Sequence, residues 1–127
     1  MHGELMKSRC EACTRPPFED RNAHDSIPRC ACGARVRPHI VWFGEVPFEM
    51  DRIAHALDAC DLFITVGSSG AVYPAAGFVS AVRDRARQAG ERVTTVYVGP
   101  EGPDNAGAFD ECRLGKATDV VPTLFAF

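Results

Sequence analysis

Residues 30 to 47, CACGARVRPHIVWFGEVP, set two cysteines, a basic turn and an apolar run ending in Trp-Phe-Gly-Glu within eighteen positions. The run His39-Ile40-Val41-Trp42-Phe43 has strand length and is continuously apolar after its histidine, so it predicts a buried strand, with Gly44-Glu45 as the turn that ends it. The cysteines at its start have partners upstream. RCEAC (9 to 13) and RCAC (29 to 32) are two short pairs joined by a polar, proline-containing loop without helical or strand period. A loop so poor in apolar residues does not hold itself together by burial. Four thiolates on one tetrahedral zinc ion supply the missing stability, and sites of this kind are closed to substrate. The expected ligands are therefore Cys10, Cys13, Cys30 and Cys32 around one structural Zn²⁺, the alternatives being His24 or His39 in place of one thiol, or no metal.

Downstream, the pattern alternates between helix and strand. EMDRIAHALDAC (49 to 60) sets Met50, Ile53, Leu57 and Cys60 on one helical face, and DLFITVG (61 to 67) is a second short apolar run closing on glycine. Residues 74 to 89 place Ala75, Phe78, Val79, Val82 and Ala86 inward, with Gly90 as the stop. RVTTVYVG (92 to 99) reads as a third strand and ATDVVPTLF (117 to 125) as a terminal helix carrying Pro122. Strand, helix, strand, helix, strand in that order gives right-handed crossovers and a parallel sheet. The expected fold is α/β, a partial Rossmann-like parallel sheet over residues 38 to 127 with a small zinc ribbon over residues 4 to 37.

In parallel sheets of this kind ligands bind at the carboxyl ends of the strands, where Gly44-Glu45, Gly67-Ser68-Ser69-Gly70 and Gly99 all fall. The loop GSSGAVYPAA lets backbone approach a ligand and offers two hydroxyls, although glycine and serine also simply make turns.

Composition narrows the classes. The chain has 127 residues, 46% hydrophobic and 24% charged, which is ordinary for a globular domain. Net charge is −3, split as +2 over residues 1 to 38 and −5 over the rest, without the concentrated basic face of a nucleic-acid binder. No apolar run approaches the roughly 20 residues that span a bilayer. The polar start MHGELMKSRC carries no apolar signal core, so the expected address is the cytoplasm, where cysteines stay reduced. Cys60 and Cys112 stand apart in apolar segments and are expected to be small buried hydrophobes.

The order of these motifs resembles the sirtuins, the NAD-dependent protein-lysine deacylases. A His-Gly dipeptide, two cysteine pairs, RPHIVWFGE, GSSGAVYPAA and a closing GKATDVVP follow one another as in that family, with RPHIVWFGE similar to the form in its class III members. The resemblance implies roles residue by residue. His2 is the catalytic general base, and Val41 offers its backbone carbonyl to the acyl-lysine while Phe43 lines the tunnel. Gly44, Glu45 and Val46 on one side and Val72, Tyr73 and Pro74 on the other pair with the substrate backbone as a strand between strands. Gly67, Ser68 and Ser69 meet the adenosine half of NAD, Lys116 and Ala117 the adenine, and Gly99 stands where the family usually has an asparagine on the ribose. The family's glycine-rich pyrophosphate turn and its Tyr-x-x-Arg pair do not occur, so the chain looks like a C-terminal half, inactive alone. Its implied partners are acylated lysine in proteins and either an N-terminal half or a second copy of itself. A non-catalytic remnant that grips an acyl-lysine peptide or a protein partner is the alternative. By itself, a histidine at position 2 reads as a frayed terminus.

Overall fold

The structure, a computed structural model, describes residues 1 to 125. It comprises two compact units, residues 1 to 51 and residues 52 onward.

The first unit is a three-stranded antiparallel sheet of β1 (Gly3–Cys10), β2 (Phe18–Glu19) and β3 (Val36–Ile40), ordered β2-β1-β3. β1 and β3 pair from Gly3 opposite Ile40 to Cys10 opposite Val36, with a register shift between Glu4 and Ser8. Pro38 sits at that shift, where the missing amide costs the ladder least. Gly3, at φ +89°, is required here, since a Cβ on it would stand 2.0 Å from the His39 carbonyl oxygen. Small unit, small core: Cys10 and Val36 are its buried apolar residues and Ser8 its buried polar one.

This arrangement corrects one expectation. The strand of the opening motif runs from Val36 to Ile40 rather than from His39 to Phe43, and it belongs to the antiparallel ribbon sheet, not to the parallel one. A run of apolar letters did not mark a fully buried strand, because Trp42 and Phe43 are exposed beyond its end.

The second unit is the α/β part. α1 (Met50–Asp58) begins at the boundary, and β4 (Leu62–Val66), α2 (Phe78–Ala89), β5 (Thr94–Gly99), β6 (Glu111–Leu114) and α3 (Ala117–Leu124) follow. β4, β5 and β6 form a parallel sheet in that order, Leu62 opposite Thr94 and Val96 opposite Glu111. Parallel neighbours need a crossover, and α2 supplies the first. A 3₁₀ turn at Ala106–Ala108 lies in the second. β6 escaped the sequence reading because ECRL alternates charge and apolarity over only four residues. Val79, Val82 and Ala86 of α2 are buried, as are Val96, Tyr97, Val98 and Thr95 of β5, so the core centres on the middle strand. α2 closes on Gly90 in the left-handed conformation, as expected.

α1 keeps the predicted face, with Met50, Ile53, Leu57 and Cys60 half-buried, but none of its residues is fully buried. Leu62 and Val66 at the ends of edge strand β4 are also exposed. Cys60 and Cys112 are not the buried hydrophobes expected: Cys60 is half-buried and Cys112 exposed on the other edge strand. No described helix is long and apolar enough to cross a membrane.

Candidate functional site

The cysteine pairs converge. β1 delivers Cys10 at its end, the following turn carries Cys13, and the tight turn around Gly33 that precedes β3 carries Cys30 and Cys32. Cys10 Sγ lies 3.5 Å from Cys32 Sγ and Cys13 Sγ 3.7 Å from Cys30 Sγ, with all four sulfurs within 4.8 Å of one another. A zinc–sulfur bond of about 2.3 Å in a tetrahedron separates the sulfurs by about 3.8 Å, so the set fits that ion. The two histidines held open as alternatives are engaged elsewhere. His24 Nε2 is 3.0 Å from an Asp20 oxygen, and the His39 ring stacks on Phe48 at 4.4 Å.

Local electrostatics prepare the thiolates. The backbone amides of Cys13 and Ala12 each donate to Cys10 Sγ at 3.4 Å and hold that thiol down at about 6. Although the Arg15 amide draws its pKa down, Cys13 is pushed up to about 11 by its neighbours Cys10 and Cys30. Cys30 is lowered, chiefly by the Cys32 amide; although the Ala34 amide draws it down, Cys32 is raised by Cys10 and Cys30 together. Four thiols this close ionise in sequence because each charge opposes the next, and a dication removes that opposition. The residues present therefore fit a closed structural zinc site, in which four thiolates would leave no coordination position for water or substrate.

Beyond the metal centre, β1 and β3 position the opening motif. The Val41 amide donates to the His2 carbonyl at 2.9 Å, and the Phe48 amide to the Met1 carbonyl at 2.9 Å. His2 is thus tethered by its backbone while its side chain stays exposed. Phe43 is 96% exposed and Val46 80%, on either side of Gly44 at φ +88°. The turn between them is held by Glu45, whose carboxylate accepts from the Trp42 amide at 3.0 Å, from Arg9 at 3.4 Å and from Arg37. Arg37 in turn lies 4.0 Å over the Trp42 ring. The Arg37 hydrogen bond, with the Trp42 amide second, keeps the Glu45 carboxyl below its usual range. The sequence reading missed this clamp, although Arg37 and Glu45 flank the exposed aromatic pair in the motif itself.

In the second unit the loop after β4 turns at Gly67, φ +68°, whose amide donates to the Val98 carbonyl at 2.8 Å. Ser68 Oγ accepts from the Gly70 amide at 3.2 Å and Ser69 Oγ from the Ala71 amide at 3.3 Å. The Asp104 amide donates to the Ser69 carbonyl at 2.8 Å, tying this loop to the one after β5. Between them lies a cavity of about 330 Å³. Gly67, Ser68 and Ser69 line it, while Gly99 is buried and not part of the lining. Lys116 caps the start of α3 by accepting through its carbonyl from the Asp119 and Val120 amides, and Ala117 is the first helical residue. Val72 and Tyr73 are exposed, 50% and 78%, and Pro74 is half-buried at the entry to α2.

A four-cysteine ribbon joined to a parallel α/β sheet with a glycine-serine loop at the carboxyl end of its edge strand defines a zinc-containing, Rossmann-like class. The comparisons narrow it: the Sir2 family model matches residues 1 to 74, and the chain belongs to the Sir2 family. It is similar to the NAD-dependent protein deacylase of Shewanella oneidensis, 46% identical over 98% of this chain and 49% of that protein. The NAD-dependent protein deacylase SIR2rp3 of Leishmania major is 46% identical over 97% of this chain and 49% of its own length. Among solved structures, a mutant Sir2 homologue in complex with ADP ribose superposes with a TM-score of 0.83 at 30% identity, over 97% of this chain and 49% of that one. Sir2Af2 bound to a myristoylated histone peptide gives 0.72 at 29% identity, over 97% and 53%. The chain spans about half the length of the curated relatives it matches.

Proposed function

We propose that this chain supplies the C-terminal half of an NAD-dependent protein-lysine deacylase: the zinc ribbon, the general base, the acyl-lysine strand and the adenosine side of the nucleotide site. The observation that carries the reading is the tether between the His2 carbonyl and the Val41 amide. It ties His2 and Val41 together beside the turn that Glu45 braces, which supports reading them as the general base and the acyl-lysine contact.

NAD, when bound, supplies the electrophilic ribose carbon and the departing nicotinamide. The chain's own residues do the rest of what is assigned here. The Val41 carbonyl accepts from the lysine amide N–H, orienting the acyl group, and the exposed Phe43 ring flanks its apolar chain. Gly44 to Val46 and Val72 to Pro74 each present backbone to an extended peptide, a mode that tolerates many sequences. An imidazole nitrogen is suited to general-base work, and His2 takes the proton from a ribose hydroxyl. Gly67, Ser68, Ser69, Lys116 and Ala117 hold the adenosine half, and the pyrophosphate contacts belong to the N-terminal half.

The test is complementation. Mixing this chain with the N-terminal half of the Shewanella oneidensis relative, NAD and an acyl-lysine peptide should release nicotinamide, and His2→Ala should abolish it. Release that survives His2→Ala, or none from the mixture while the full relative is active, overturns the reading. The coverage of only about half of each relative favours a second role, a non-catalytic grip on acyl-lysine peptides. Peptide binding by the chain without either NAD or the other half would mark it.

A further inference from the structure

Tyr97 lies on the same face of β5 as Gly99, two residues on, and leans along the strand toward it. A Cβ at position 99 would stand 2.2 Å from the Tyr97 hydroxyl oxygen and 2.7 Å from Cζ. The tyrosine therefore occupies the volume that any side chain at 99 would need. Its ring packs on Phe109 at 5.8 Å and is 3% exposed, and its hydroxyl donates to the Glu101 carbonyl at 2.9 Å. Having donated its one proton, a phenolic oxygen still has lone pairs to accept with.

Tyr97 also lines the cavity of about 330 Å³ between the Gly67 and Glu101 loops. Glu101 and Asp104 are the charged residues of that lining, with no lysine or arginine among it. Two carboxylates repel phosphate and accept well from hydroxyls, so the cavity suits a neutral, hydroxyl-bearing moiety. We propose that the Tyr97 hydroxyl oxygen, which fills the space over Gly99 and faces this cavity lining, accepts a hydrogen bond from a ribose hydroxyl of the bound nucleotide. This rests on the reading of the loop after β4 as the adenosine site.

The probes are ADP ribose, adenosine and 2′,3′-dideoxyadenosine, titrated into the full chain by calorimetry or ligand-observed NMR. Wild type is expected to bind ADP ribose and adenosine and to lose affinity for the dideoxy nucleoside. Tyr97→Phe should bind adenosine about fivefold more weakly and shrink the adenosine-to-dideoxyadenosine ratio by a similar factor, a non-additivity that a purely structural tyrosine does not produce. Tyr97→Phe with the full discrimination retained overturns the proposal while leaving the adenosine site standing. No binding of ADP ribose or adenosine by wild type at millimolar concentration overturns the site itself, and the tyrosine contact with it. Tyr97→Leu combined with Gly99→Asn should bring the discrimination back, and its failure in a folded double variant also counts against the proposal.

Discussion

Single residues carry the local decisions. Cys30→Ala leaves three thiols, which cannot close a tetrahedral site, so the variant should purify with well under half an equivalent of zinc where wild type holds one; metal analysis of protein prepared without chelator decides this. Glycine 99 is fixed by its neighbour. Gly99→Ala must displace the Tyr97 ring and its bond to Glu101, and should lower stability by about 1–3 kcal/mol in denaturant titration. If Tyr97→Leu removes that penalty in the double variant, the clash is its cause. A loss of about 2 kcal/mol is expected for Val82→Ala, which deletes two methyl groups' worth of fully buried surface from α2. None of these environments is written in the residue letter. The four cysteines were legible as ligands because their spacing has one economical explanation, while His24 and His39 could be released from that role only once Asp20 and Phe48 stood beside them.

At the scale of elements, the start of β6 is pinned to β5 by Asp110. Its carboxylate accepts from the Thr95 amide and hydroxyl at 2.9 Å each and pairs with Arg83 of α2. The Arg83 hydrogen bond, with the Thr95 amide second, lowers the Asp110 pKa below its ordinary 3.8. A depressed carboxyl adds stability that is present above the unfolded value and disappears as pH falls through the folded one. Acid unfolding of the second unit should therefore steepen below pH 3.8, and Asp110→Asn should flatten that dependence. A variant with an unchanged acid profile would show that the contact contributes nothing. Helices and the middle strand were readable from period alone, since α2 and β5 bury the residues their patterns select. The opening strand was misplaced by three residues and assigned to the wrong sheet. Its pairing with β1 depends on a glycine that admits a carbonyl at 2.0 Å and on a register shift at Pro38, neither of which has a period.

The molecule as a whole shows an α/β unit whose sheet is buried only at its middle. Edge strand β4 exposes Leu62 and Val66, α1 buries no residue fully, and Leu114 on the other edge is 62% exposed. An open apolar edge recruits other chains. The isolated chain is expected to self-associate at micromolar concentration by light scattering, and to become monodisperse when the N-terminal half of a relative is added. A sharp monomer with cooperative unfolding in the absence of that half would refute this. By itself the sequence determined the four cysteines as the candidate metal ligands, the order of α1, β4, α2, β5 and α3, and the family, because spacing, period and motif order are properties of the chain alone. Only the tertiary structure decided that the motif strand closes the ribbon sheet, that Glu45 braces the turn beside Phe43, and that Tyr97 fills the place above Gly99. Each of those rests on groups brought together from distant positions, where a contact of a few ångströms, invisible to any local pattern, sets which atoms are left to meet a ligand.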